Sequence, residues 1–249
     1  NLVSLTCDFR GALSLATVKG CTYYLDTYSM PDAYILDLII SKAEKYNIKL
    51  IIRLFSHENF GETNAWEHWN TYNINSQMPY CSPNPHGVCN TKDEFFTLNA
   101  ASIHQDNYIK YIIDRYGYSP SIMAWEIFSE ADGAPIDKNV LINWHRNKIS
   151  LIKSYDKYNR AVTTAFAGSV YNPTANYYHQ IDSMVDYIEL HRYTNQWTDN
   201  YDFRTELYNE IKPFKDTYKK PVFVTEGGNL DISLDYYEVK DPHGFAYHE

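Results

Sequence analysis

The chain has no apolar run long enough to cross a bilayer and no excess of positive charge. A membrane-spanning helix needs about 20 consecutive apolar residues, so none is expected here. With 22 Lys and Arg against 31 Asp and Glu the net charge is −9, which argues against nucleic acid, whose binding wants a basic surface. Cysteine is scarce, at 4 residues, and no two stand in the tight C-x-x-C spacing of a zinc site. The histidines are scattered without ligand spacing, so no metal is implied, and no other cofactor is needed. No linker, repeat or low-complexity tract interrupts the sequence, and residues 1–249 are read as one domain. The chain starts at Asn1, inside a strand-like run and without a signal peptide. It is therefore expected to be a processed or truncated piece, compatible with a place in a larger polypeptide or assembly.

What is present is length and aromatic surface. The 249 residues match the roughly 250 that an α/β barrel needs. Tyrosine, at 24 residues, far outnumbers the 11 phenylalanines. Tyrosine offers an apolar face with a polar edge, which suits stacking on sugar rings; an AT-rich genome is the competing explanation. Cys81 and Cys89 flank the Pro- and Gly-containing stretch 82–88 and are expected to form a local disulfide, with Cys7 and Cys21 as a second candidate pair. Disulfides imply an oxidising compartment, hence a secreted or extracellular protein.

Strand-like runs alternate with helical ones, the pattern of βα units around a parallel sheet. Strands are predicted over residues 1–9, 48–55, 121–129, 160–166, 185–190 and 221–226. Helices are predicted over 31–47, 93–116, 137–155 and 201–218. Gly117 closes the second helix and Pro213 kinks or splits the last. Residues 57–91 read as a long loop, and a further strand starts near 243–249. A closed barrel has eight strands, so the reading is a (β/α)8 TIM barrel incomplete at both ends of this chain.

Two of these strands end on a carboxylate: the run 121–130 on Glu130 and the run 221–227 on Glu226. In an α/β barrel the C-terminal strand ends open onto one shared face. Two carboxylates converging there can cut a glycosidic bond, one protonating the leaving oxygen while the other attacks the anomeric carbon or activates water. Glu126, four residues before Glu130, points the same way along the strand and is read as a buried, hydrogen-bonded partner. Trp66, Trp69 and Tyr72 in the long loop, and Trp197 after the 185–190 strand, either stack on sugar or pack their loops. Trp144 is read as core.

The run from Gly117 to Glu130, with Trp125-Glu126-Ile127-Phe128-Ser129-Glu130 at its end, resembles strand four of the clan A glycoside hydrolases. It is most similar to the family five cellulase and mannanase branch. Val224-Thr225-Glu226-Gly227 resembles the strand that carries the nucleophile there, and Leu190-His191-Arg192-Tyr193 the strand-six His-x-Tyr. Leu54-Phe55-Ser56-His57 is similar to the end of strand three, and residues 160–164 fit strand five. The resemblance implies a retaining endo-β-glycosidase acting on a β-linked polysaccharide of the cellulose or mannan class. In it Glu130 is the acid/base and Glu226 the nucleophile, while His57, Ser129, His191 and Tyr193 line the substrate site.

Two departures stand out. Ser129 occupies the place of an Asn that binds the substrate's 2-hydroxyl in those relatives, and Ser4 the place of an Arg beside the nucleophile. A cation keeps a neighbouring carboxylate ionised, so Glu226 is expected to lack that help unless Arg53, one strand over, supplies it. Arg53 is otherwise a structural ion-pair partner. The two serines carry the alternative reading: a catalytically degenerate domain that serves as a glycan-binding or structural module of a secreted assembly.

Overall fold

The structure, a computed structural model, describes residues 1–7, 25–57, 79–82, 86–134, 136–167, 179–194 and 203–229. In chain order these form β1 (Leu2–Thr6), α1 (Met30–Lys45), β2 (Lys49–Ser56), α2 (Lys92–Thr97), α3 (Asn99–Tyr116) and β3 (Ile122–Ser129). Then come a 3₁₀ turn (Ala131–Gly133), α4 (Lys138–Tyr155), β4 (Ala161–Thr163), β5 (Ala165–Ala167), α5 (His179–Met184), β6 (Ile188–Thr194), α6 (Phe203–Tyr218) and β7 (Val222–Asn229). The strands lie in chain order as two ladders, β1-β2-β3-β4 and β5-β6-β7, and every pairing is parallel. Parallel neighbours joined through helices are the walls of the expected (β/α)8 barrel.

Local chemistry accounts for these boundaries. Ser29 caps α1 by accepting from the Asp32 N–H, with proline in the first turn and Lys42 and Lys45 in the last. Thr91 caps α2 and Asp137 caps α4 in the same way. β2 is buried along nearly its whole length, as a strand covered on both faces must be.

Several boundaries differ from the sequence reading. The helix expected over 93–116 is two, because Leu98 is extended (φ −81°, ψ 127°) and both ends α2 and opens α3. Gly117 does close α3, yet in the right-handed region (φ −59°). Glycine is needed there for close approach: a β-carbon would lie 2.7 Å from the Ile113 carbonyl oxygen. The strand expected over 160–166 breaks at Thr164, which leaves the ladder so that its hydroxyl donates to the Phe128 carbonyl at 2.8 Å. α6 runs through Pro213 as one helix. The strand start expected near 243–249 and most of the 57–91 loop lie outside the described residues.

The expected Cys81–Cys89 disulfide is not formed. The two residues face each other across an isolated parallel bridge, and the loop between them is closed by backbone hydrogen bonds, Ser82 N–H to Cys89 O and Cys89 N–H to Tyr80 O, both 2.7 Å. Burial and the adjacent Cys81 push the Cys89 thiol up to about 12. Of the second candidate pair, Cys7 is buried and Cys21 lies outside the described residues.

Between strands and helices sits an aromatic core. Trp144 on α4 packs against Phe55, Phe95, Phe96 and Phe128 with ring centroids 5.6–6.1 Å apart, and its indole N–H donates to Gln105. The Trp125 indole N–H reaches the buried Asp156 carboxylate at 2.9 Å. The inner face of the sheet is layered. Ile51, Ala124 and Tyr187 make a small buried apolar cluster. Two residues further along the chain from each stand Arg53, Glu126 and Glu189, so that the next layer up is charged.

Candidate active site

Glu130 follows the last residue of β3 and takes the left-handed conformation (φ 54°, ψ 53°). For a residue with a side chain this conformation costs about 1–2 kcal/mol, and its carbonyl is used at once to accept from the Gly133 N–H at 2.9 Å. The turn aims the Glu130 carboxyl back over the strand ends. Asp132 pins the same turn to β5 by accepting from the Ala167 N–H at 2.7 Å.

Glu226 is brought to meet it by an irregularity in the β6–β7 ladder. Leu190 pairs with Val224, but the next residue, His191, pairs with Glu226, leaving Thr225 as the extra residue. Bulges re-aim side chains in this way near functional sites. Without it, His191 would stand opposite Thr225. The result is that His191 Nδ1 lies 2.8 Å from Glu130 Oε1 and 3.3 Å from Glu226 Oε2. Ligand atoms of Glu130, His191 and Glu226 all lie within 4.8 Å of one another. His57 Nδ1 approaches the other Glu130 oxygen at 3.2 Å, at an angle too poor for a hydrogen bond.

Arg53 ties this cluster together. Its Nε donates to Glu126 Oε2 at 2.7 Å, its Nη1 pairs with Glu226 Oε1, and its Nη2 lies 3.4 Å from His191 Nε2. A guanidinium only donates, so His191 Nε2 must be the bare nitrogen and Nδ1 the protonated one. The Nδ1 N–H therefore faces the two glutamates. Burial works against the Arg53 charge, but Glu126 and Glu226 more than offset it. The expectation that Glu226 lacks a cation is thus corrected: with Ser4 small and 3.5 Å from Glu126, the guanidinium comes from β2. Arg53 plays both roles weighed for it, charge partner and structural ion pair.

Burial raises the Glu130 carboxyl, but the His191 N–H and the charges of His57 and Arg53 outweigh it and hold the group below the ordinary glutamate range. Glu130, His191 and Glu226 bring three potential ligand atoms together, and the Arg53 guanidinium already pairs with Glu226 and contacts His191. The donor set is that of an ion-pair network. A cavity of about 250 Å³ opens over it, with Thr6, Arg53, Ser56, His57, Ser129, Glu130 and Glu226 in its walls.

The structure therefore brings together Glu130, Glu226, His57, Ser129 and His191. Tyr193 lies on β6, but its side chain, like Trp66, Trp69, Tyr72 and Trp197, lies outside the described residues. Sequence reasoning missed Thr6 and Ser56 as cavity walls. Ser56 was within reach, since it ends β2 in register with Ser129. It also missed Gly133, where a β-carbon would come within 3.0–3.1 Å of the His57 side chain. Gly133→Ala is expected to overpack this contact by about 1–3 kcal/mol. Denaturant midpoints should show the cost shrinking in a His57→Ala background; equal costs in both backgrounds would remove the contact as the cause.

No family model matches the chain. Curated proteins similar to it include mannan endo-1,4-beta-mannosidase A of Aspergillus aculeatus, 29% identical over 181 residues that cover 68% of this chain and 44% of that protein. Mannan endo-1,4-beta-mannosidase 1 of Solanum lycopersicum is 23% identical over 224 residues, 78% of this chain and 53% of that protein. The chain thus spans only about half the length of these relatives. Among solved structures, a family 5 glycoside hydrolase mannosidase from Rhizomucor miehei shares the fold with a TM-score of 0.62 at 14% identity, covering 91% of this chain and 59% of that one. The endo-beta-1,4-mannanase of Thermotoga petrophila does so with a TM-score of 0.56 at 21% identity, covering 86% and 48%. The resemblance to the clan A glycoside hydrolases, and to the family five branch among them, holds.

Proposed function

We propose that the chain carries the catalytic face of a retaining endo-β-glycosidase that cuts β-1,4-mannan. The observation that carries this reading is the convergence of Glu130 and Glu226, one carboxyl oxygen of each lying within 4.8 Å of the other. Retaining pairs stand about 5–5.5 Å apart, whereas inverting pairs leave about 6.5–9.5 Å for a water between them. The mannan preference rests on the names of the curated relatives. In the first step the Glu130 O–H passes its proton to the glycosidic oxygen while a Glu226 oxygen bonds the anomeric carbon, and the carbon–oxygen bond to the leaving sugar breaks. In the second, Glu130 takes a proton from water as that water attacks the same carbon, and Glu226 leaves as a carboxylate. The His191 N–H, facing both glutamates, serves whichever of them is charged.

Because Glu130 is held low, its protonated fraction grows only as pH falls. Hydrolysis of mannan is therefore expected to be fastest on the acid side of neutrality. A polysaccharide too large to cross a membrane also places this work outside the cell, and no described helix is long and apolar enough to span one. Ser129 favours a second reading, a glycan-binding domain without turnover, because its short side chain replaces the amide that the resemblance expects at the 2-hydroxyl. One experiment separates the two. The purified chain is incubated with β-1,4-mannan and, in parallel, with β-glucans, and product anomers are followed by NMR. Release of mannooligosaccharides first seen as the β-anomer supports the proposal. A first-formed α-anomer, or binding without release, overturns it.

A further inference from the structure

In the same charged layer as Arg53, and outside the cavity walls, lies a carboxyl that the reaction above does not use. Glu189 on β6 and Glu126 on β3 are both fully buried. One oxygen of each lies within 4.8 Å of the other and of a His191 ring nitrogen. Glu126 Oε2 is occupied by Arg53, but Glu126 Oε1 and both oxygens of Glu189 have no hydrogen-bond partner in the structure. The hydroxyls of Thr225, Thr163 and Tyr187 flank Glu189 closely enough to interact with it. Buried polar atoms are nearly always satisfied, and neutral hydroxyls can bond these carboxyls but cannot balance a second negative charge between them.

The charges that face Glu189 narrow the choice. Arg53 comes from β2, Glu126 from β3, His191 from β6 and Glu226 from β7; Ser4, Thr163, Thr225 and Tyr187, the residue before β6, add only neutral hydroxyls. Two carboxylates, Glu126 and Glu226, already divide one guanidinium. A third negative charge in this dry interior would stand uncompensated, which proteins avoid by neutralising the group. A metal cation would set a second positive centre beside the Arg53 guanidinium, which already contacts Glu126 and His191. A single proton neutralises the charge and gives the orphaned oxygens an O–H bond, directly or across one water.

We propose that Glu126 and Glu189 hold one proton between them, resting on Glu189, and that Glu189 is a positioning residue for Glu226. As a neutral acid, Glu189 leaves Arg53 to be divided between Glu126 and Glu226. Once ionised, it competes for the guanidinium and draws it away from the nucleophile. Burial, then each carboxyl's neighbouring negative charge, lifts both groups above the ordinary glutamate range, and the titration belongs to the pair. The kinetic consequence rests on the reading of Glu226 as nucleophile; the shared proton does not.

The test compares the wild-type protein with Glu189→Gln, which keeps the shape and a donor but cannot ionise. A carboxyl raised in the folded state stabilises fully below its unfolded value, and that contribution is lost as pH climbs through the folded value. Wild-type unfolding free energy should therefore fall between the ordinary glutamate range and alkaline pH more steeply than that of Glu189→Gln. Infrared spectra of the wild type near neutrality should show a buried protonated-carboxyl band that disappears at alkaline pH. Parallel stability curves, or absence of that band, overturn the shared proton. So does a wild-type stability that collapses on chelation, which would put a metal in its place. For the positioning role, the substrate is an aryl β-mannobioside whose leaving group needs no protonation. Its alkaline limb in kcat/KM should move to higher pH in Glu189→Gln by at least half a unit, a factor of about 3 in rate at a fixed alkaline pH. Coincident limbs overturn the role. A wild type with no hydrolysis at all is the failure of the enzyme reading, and the unfolding and infrared arms still decide the shared proton.

Discussion

Arg53→Leu is expected to destabilise the protein by about 3–5 kcal/mol, because removing one partner of a buried ion pair strands the other. Here it strands Glu126, which is fully buried, and Glu226 loses its guanidinium in the same stroke. Hydrolysis should fall through kcat more than through KM, since the guanidinium acts on the nucleophile and not on distant sugar units. Ser4→Arg alone should also be harmful, by forcing a second guanidinium into the space beside Glu126. Combined, the two changes should recover part of both losses, because an arginine on β1 can reach the position that Arg53 leaves. Chemical denaturation and steady-state kinetics on the two single variants and the double read this directly. Additive losses in the double variant would show that the position of the cation is not interchangeable between the strands.

Glu130→Ala and Glu226→Ala should both abolish mannan hydrolysis but differ on an activated substrate. Loss of a general acid costs typically 10²–10⁴-fold, and only where the leaving oxygen needs its proton. An aryl mannobioside with a good leaving group should therefore still release its aryl group in the Glu130→Ala variant, and added azide should capture the glycosyl-enzyme as a β-azide. The Glu226→Ala variant has no carboxylate to form the ester. It should stay slow on both substrates until azide fills the gap and gives the α-azide. If the azide products are reversed, the roles of the two glutamates are reversed.

Much of this arrangement could be read before any fold was known, because it lies within single strands. Glu130 and Glu226 each close an apolar run, and Glu126 shares a face with Glu130 by simple alternation. What could not be read depends on chain segments meeting. Arg53 looks like any charged residue in a buried strand until β7 is set beside β6 and Glu226 comes within its reach. The Thr225 irregularity that puts His191 opposite Glu226 leaves no mark on composition. Leu98 fits a helical apolar pattern and gave no warning of the break between α2 and α3. The Thr164 break is of the same kind, since its cause is a carbonyl on β3 and a histidine on α4. Cys81 and Cys89 misled in the opposite way: closeness along the chain suggested a covalent link where backbone pairing suffices.

The charged layer inside the sheet also bears on how such a chain can fold. Arg53 belongs to the first ladder and Glu226 to the last strand of the second, so the ion pair forms only when chain segments far apart in sequence have come together. While β1 to β4 assemble ahead of β7, the guanidinium faces Glu126 alone, and the inner surface cannot yet be sealed from water. Long-range pairings of this kind slow folding, and a half-built sheet emerging during synthesis is exposed to wrong partners. An interior lined with apolar side chains could collapse at any stage and in several registers. One that must match a guanidinium to two particular carboxylates tolerates far fewer, so the carboxylate proposed as nucleophile also helps to select the register of the fold.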